Sequence, residues 1–166
     1  MRLWHQKLIP YLDQKRLLGQ HRECCALRGK GWGRKHATVD YIFNYSLMHL
    51  YEYHFLVMCE MSERFKAAID PRWWIVYYRG RNLPEAKNPS EMGGLFIYNP
   101  NSLTPIYNEH DDKYLLECLM NLKAKGAELV NGESIEHMLV DLALRGVRWQ
   151  NEDQTSEEME MVVQIL

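Results

Sequence analysis

A mainly α-helical, compact single-domain fold is what this chain predicts, and three observations predict it. Apolar residues recur at the 3.6-residue helical period in stretch after stretch. Capping and stop residues stand at the ends of those stretches. A length of 166 residues with 46% hydrophobic and 25% charged content suffices for one buried core and is ordinary for a globular domain. No run of eighteen or more apolar residues appears, so no membrane span is expected.

Met1 to Pro10 carries charges but no long apolar h-region and no small-residue cleavage site, so no signal peptide is expected. Asp13 then precedes a helical stretch through about Arg28, in which Leu17, Leu18, Cys24 and Cys25 share one face. Gly19, Arg22, Glu23 and Ala26 occupy the other face, where two small residues leave room for something to approach. A solvated charged face is the plainer reading of the same residues. Gly29-Lys30-Gly31-Trp32-Gly33 ends the helix in a loop whose N–H groups could reach an anion.

A second helix is expected from about Ser46 to Ala68, with Leu47, Leu50, Tyr51, His54, Val57, Met58, Met61 and Phe65 as its inward stripe. His54 on that stripe reads as a hydrogen-bonded core histidine. Trp73 and Trp74 open an aromatic run bracketed by Arg72, Arg79 and Arg81. Two readings stay open: stacking beside bases, or an aromatic plug closing a helical core. From 82 to about 108 there are four prolines and a Gly93-Gly94 pair, which predicts a long irregular loop, with Leu95 to Tyr98 as a candidate short strand.

Helical periodicity returns at Tyr114, Leu115, Cys118, Leu119 and Leu122, stopped by Gly126. A further helix spans about Ser134 to Arg145, with Ile135, Met138, Leu139 and Leu142 inward and Gly146 after it. Thr155-Ser156-Glu157-Glu158 is a capping-box pattern before a last helix. Beyond Arg148 lie five acids and no base, which suits a surface or protein-facing helix. The expected division is a helical domain over 1–126, including the irregular loop, and an acidic helical extension over 127–166.

Charge is unevenly placed. The first forty residues hold nine Lys/Arg against three Asp/Glu, and the remainder holds eleven against nineteen. A chain of formal charge −2 is thus a cationic end on an acidic body, and phosphate backbones are bound by concentrated Lys and Arg. Four cysteines, two of them adjacent at 24 and 25, form neither a disulfide framework nor a CxxC zinc pattern. A reducing, cytoplasmic setting is expected. The seven histidines show no His-x-x-x-His spacing, and no metal or other cofactor is expected.

The order of motifs resembles the pyrimidine-dimer DNA glycosylases of the phage endonuclease V type, which are small all-α proteins. The resemblance rests on Met1-Arg2 at the start, a Leu-rich helix reaching Arg22-Glu23, and the Arg34-Lys35-His36 string. A long core helix and the spacing Trp74-x-x-Tyr77-Tyr78-x-Gly80 complete it. The Gln20-His21-Arg22-Glu23-Cys24-Cys25 string is similar to a bacterial branch of that family.

The resemblance implies a nucleophilic α-amine, here on Met1, that attacks C1′ of a damaged nucleotide, expels the base and forms an imine. β-Elimination then nicks the strand. It also implies that Glu23 is the essential carboxylate and that Arg2 and Arg22 contact phosphate or the altered backbone, with Arg22 beside the chemistry. Arg34, Lys35 and His36 would face DNA, and Arg28, Trp73, Trp74 and Arg79 are further DNA-binding candidates. The implied partner is damaged double-stranded DNA.

Elementary chemistry is consistent with that role. An α-amine of pKa about 7.7–8.0 is roughly 10% neutral at pH 7, against about 0.04% for lysine near 10.4. Neighbouring arginines depress an amine further by like-charge repulsion. Three departures stand out: Arg2 is bulky, so Met1 is expected to be retained; Ala26 stands where the family has a further arginine; and the chain is longer, with the irregular 82–108 loop and acidic C-terminal helices added. A non-enzymatic nucleic-acid-binding module is the alternative, with Glu23 an ordinary surface carboxylate.

Overall fold

The computed structural model describes residues 2–29, 38–74 and 105–148, and every regular element among them is helical. An extended run leads into a 3-10 turn at Gln6–Tyr11. Four α-helices follow: α1 (Gln14–Arg28), α2 (Leu47–Phe65), α3 (Asp112–Ala124) and α4 (Ile135–Leu144). Short 3-10 turns at Asp40–Asn44 and Pro71–Trp73 flank α2. The mainly α expectation holds for these residues. The glycine loop beyond Gly29, the aromatic run beyond Trp74, residues 82–104 of the irregular loop and the last acidic helix lie outside the described residues.

Helix starts follow the local chemistry of the sequence. Asp13, Asp111 and Ser134 each accept a hydrogen bond from the backbone N–H three residues on, at 2.7, 2.8 and 3.0 Å. Each thereby satisfies an otherwise orphaned donor, worth about 1 kcal/mol. Ser46 caps α2 without such a bond, its hydroxyl pairing with His49 Nδ1 at 2.9 Å. α2 stops at Phe65, three residues short of the expected Ala68. There Lys66 turns left-handed at φ 50°, and the N–H groups of Lys66 and Ala67 return to Ser62 and Met61.

The buried cluster joins Leu3, Leu8, Leu12 and Leu17 to Leu50, Tyr53 and Val57 of α2 and Leu115, Leu119 and Leu122 of α3. Ala127, Leu129, Ile135 and Leu142 belong to the same cluster, so α4 helps to complete it. Val130 N–H reaches Tyr11 C=O at 2.9 Å. The Arg64 guanidinium holds the carbonyls of Pro10 and Leu12 at 2.8 and 2.6 Å. No helix among the described residues is long and apolar enough to cross a membrane, and all four cysteines are free thiols.

α1 departs from its expected stripe. Its buried residues are Leu17, Gln20, Cys24, Leu27 and Arg28, while Leu18 is 36% exposed and Cys25 only half-buried. The inward face therefore includes an amide and a guanidinium. α2 buries the expected Leu50, Tyr51, His54, Val57, Met58 and Met61, together with Tyr53, which lies off that stripe. Gln20 and Tyr53 are drawn inward by Trp4 of the N-terminal segment, and Arg28 by His54 and Trp73.

Candidate active site

Residues 2–5 belong to no helix or strand that would satisfy their backbone, and Leu3, Trp4 and His5 are buried. Buried N–H and C=O groups must find partners, and here side chains of three helices supply them. Gln20 Oε1 on α1 accepts from Trp4 N–H at 2.8 Å. Tyr53 on α2 donates its hydroxyl to Trp4 C=O at 2.6 Å, and Tyr114 on α3 donates to Leu3 C=O at 2.5 Å. Gln20 Nε2 then donates to Glu23 Oε2 at 3.2 Å. Because its oxygen serves Trp4, the amide has one consistent orientation, with its nitrogen toward Glu23.

Two histidines brace the same segment from behind. His5 Nε2–H donates to His110 C=O at 2.7 Å, and His5 Nδ1 accepts from Lys7 N–H at 3.1 Å. His110 Nδ1 accepts from Gln6 N–H at 3.3 Å, so Nε2 carries its proton and donates to the Tyr41 hydroxyl at 2.8 Å. The rings of His5 and His110 stack at 5.3 Å. Burial holds both imidazoles neutral, with pKa values lowered to about 4 and about 3.

Glu23 is where this scaffold meets chemistry. It is half-buried, and its carboxylate accepts from the Gln20 amide. Burial raises its pKa above the ordinary carboxylate value. The positive amino end of the chain, the Arg2 N–H, Gln20 and Lys125 pull the other way. Covalent geometry keeps an amine on residue 1 within about 4 Å of the Arg2 nitrogen. A carboxyl group near an amine, itself poised to take or give a proton, is the pairing that amine-based nucleophilic catalysis needs.

The other expected residues divide. Arg22 is exposed on α1, next in sequence to Glu23. Arg2 is half-buried and turns its guanidinium onto α3, 3.7 Å from Glu117 and 5.4 Å from the Tyr114 ring centroid. Trp73 and Trp74 are half-buried against α2. Trp73 lies 5.9 Å from the His54 ring, and Trp74 packs edge-on against Phe55 at 5.7 Å. Met1, Arg34, Lys35, His36 and Arg79 lie outside the described residues.

Arg28 needs a correction. Expected on the DNA face, it is 1% exposed, with its guanidinium over the Tyr51 and Trp73 rings at 5.0 and 5.2 Å. It donates to His54 Nδ1 at 2.9 Å and to Trp73 C=O at 3.0 Å. Burial lowers its pKa to about 10, which leaves it charged at neutral pH. Hydrogen bonding and ring contacts make the interior a tolerable place for that cation, and a buried guanidinium does not meet a phosphate.

This arrangement settles the character of a neighbouring cluster. His21, Cys25 and His54 bring potential metal-ligating atoms within 4.8 Å of one another, a juxtaposition that a search for His-x-x-x-His misses but His21-x-x-x-Cys25 signals. Arginine is an obligate donor, so His54 Nδ1 must accept and Nε2 must hold the proton. That proton points at His21 Nδ1, 2.7 Å away. His21 then carries its own proton on Nε2, 3.6 Å from Cys25 Sγ. A metal at His54 Nε2 would displace this proton toward Arg28. Ligating histidines instead hand their second N–H to an acceptor, so this is a hydrogen-bond relay rather than a fitting metal centre.

Sequence reasoning missed Gln20, Tyr53 and Tyr114. Gln20 stands in the Gln20-to-Cys25 string that carries the resemblance, three residues before Glu23, which is the available signal. Tyr53 and Tyr114 find partners 49 and 111 residues away, and no local pattern announces them. Against known proteins, residues 1–70 match the family model described as pyrimidine dimer DNA glycosylase. That span runs from the extended segment through α2 and contains Gln20, Glu23 and Tyr53. No curated protein and no solved structure matches the chain.

Proposed function

We propose that this chain is a DNA glycosylase with AP lyase activity, acting at a damaged pyrimidine site through the α-amine of Met1. The family match over residues 1–70 supports a DNA repair glycosylase. The observation that carries the finer reading is the Gln20 side chain, which accepts from Trp4 N–H at 2.8 Å and donates to the half-buried Glu23 carboxylate at 3.2 Å. It ties the start of the chain to the carboxylate that the chemistry requires.

In the proposed reaction the neutral amine forms a bond to C1′ as the glycosidic bond breaks, and the base leaves with the electron pair. Opening of the sugar ring at C1′–O4′, with one amine proton passing to O4′, gives a protonated imine. Glu23 stabilises that cation and then takes the C2′ proton, and the C3′–O bond breaks with the 3′-phosphate as leaving group. Its raised pKa suits a group that must accept a proton and release it again. Gln20 holds the carboxylate and Trp4 together, so amine and base arrive already oriented and little ordering remains at the moment of reaction. Arg22, exposed beside Glu23, is assigned to the flanking backbone.

The test is borohydride trapping on a duplex with a single abasic site, followed by peptide mapping of the adduct. Linkage through the amine of residue 1, strand nicking by the wild type, and loss of nicking in Glu23→Gln with DNA affinity retained are the expected results. An adduct mapped to a lysine such as Lys35, or undiminished nicking by Glu23→Gln, would overturn the mechanism. Salt-sensitive binding with no nicking by the wild type would leave a nucleic-acid-binding module.

A further inference from the structure

We propose that Lys125, at the end of α3, is a backbone-phosphate contact of this same site, supplied from outside the stretch that the family match covers. The inference rests on the proposed DNA-directed function, and three observations on different elements converge on it.

The first is position. The Lys125 ammonium lies 5.5 Å from the centroid of the Trp4 ring. Trp4 N–H is bonded to Gln20 at 2.8 Å, and Gln20 to Glu23 at 3.2 Å. A cation resting on Trp4 therefore lies two hydrogen bonds from the carboxylate proposed to do the chemistry. A nucleotide whose C1′ meets an amine beside Glu23 carries a phosphate on each side of its sugar, and cations flanking the site meet those phosphates.

The second is partnership. Lys7 pairs with Asp112, Lys123 with Glu136, and Arg145 with Asp112 and Asp141. Arg2 is drawn onto Glu117. Lys125 has no carboxylate within ion-pair distance among the described residues, and it is exposed. Its ammonium rests on the Trp4 ring and helps to hold the Glu23 pKa down from beyond ion-pair distance, and a compact ammonium left outside an ion pair suits a phosphate.

The third is presentation. Lys125 N–H closes on Leu122 C=O at 3.1 Å, Gly126 N–H on Lys123 C=O at 2.9 Å, and Ala127 N–H returns to Leu122 C=O at 3.0 Å. Gly126, at φ +59°, provides the left-handed residue that this closure needs. The backbone of Lys125 is therefore placed by a closed helix end, while its side chain stays free to reach. A role confined to the helix dipole would also favour lysine here, and the experiment separates the two.

Equilibrium binding to undamaged and abasic duplexes is measured from 50 to 250 mM salt for the full-length wild type, Lys125→Gln, Lys125→Arg and the ion-paired control Lys123→Gln. Thermal melts run in parallel. Lys125→Gln is expected to flatten the log K against log salt slope by about 0.9, equally on both duplexes, as loss of one phosphate contact does. Lys125→Arg should restore the slope, and Lys123→Gln should leave it unchanged. An unaltered slope in Lys125→Gln overturns the proposal, and a lowered melting temperature with that unaltered slope assigns the residue to the helix end. Should the wild type bind with a steep salt slope yet never nick or trap, the glycosylase reading fails while the Lys125 contact is still decided by its slope. No binding by the wild type at any salt would remove both.

Discussion

Mild acid should release the N-terminal segment before it alters the rest of the chemistry. His5 and His110 are 1% and 3% exposed, and every ring nitrogen is committed in the neutral form. A second proton on His5 Nδ1 would face the Lys7 N–H, and one on His110 Nδ1 would face the Gln6 N–H. Burial accordingly lowers the two pKa values from 6.5 to about 4 and about 3. With folded values below the unfolded one, the unfolded chain binds more protons across this range. Stability is full above about pH 6.5 and is lost as pH falls toward the folded values.

Two protons at about 1.36 kcal/mol per unit give a slope near 2.7 kcal/mol per pH unit. Between pH 6.5 and 4.5 the loss is about 5 kcal/mol, comparable with the whole stability of a modest domain. His21 and His54, also held low by burial first, add in the same direction. Glu23, whose value is raised, opposes weakly. Urea unfolding at pH 7.5, 6.5, 5.5 and 4.5 measures the slope directly, and ring-proton NMR assigns it. A stability flat across that range, or His5 and His110 titrating near 6.5, would refute the argument.

Other outcomes follow from the same contacts. Tyr53→Phe deletes one hydroxyl and strands the Trp4 carbonyl and part of the Gln20 amide oxygen in the interior; a loss of about 1–3 kcal/mol should appear in urea melts, with slower single-turnover nicking. Arg28→Met should cost a similar amount by orphaning His54 Nδ1 and the Trp73 carbonyl, yet leave the salt slope of DNA binding untouched. Arg22→Gln should do the reverse, flattening that slope by about 0.9 with little change in stability. Gly19→Ala places a methyl where nothing lies within 4 Å, so thermal melts should show a gain of about 0.5–1 kcal/mol. Weaker DNA binding by that stabilised variant would locate the α1 outer face against the duplex.

The sequence by itself determined where helices begin and end and which family of chemistry to look for. Asp13 and Ser134 announce their helices because a cap is a local bond three residues long, and Gly126 and Gly146 stop theirs because a left-handed φ is a local property. The periods of Leu50, Val57 and Met61, or of Leu115, Leu119 and Leu122, are legible for the same reason. Glu23 was visible as the lone acid of a basic stretch between Asp13 and Asp40.

What tertiary structure alone decided is which polar groups go inside. Gln20 and Arg28 read as surface residues on a charged helix, and both are buried because groups on other elements complete them. Gln20 meets Trp4 and Tyr53; Arg28 meets His54, Tyr51 and Trp73. His21 and Cys25 look like spare ligands until Arg28 directs the tautomer of His54. Lys125 is an ordinary lysine until α3 sets it over Trp4. A hydrogen bond across sixteen to a hundred and eleven residues leaves no trace in either partner's neighbourhood, because its energy depends on the packing that brings the two groups together.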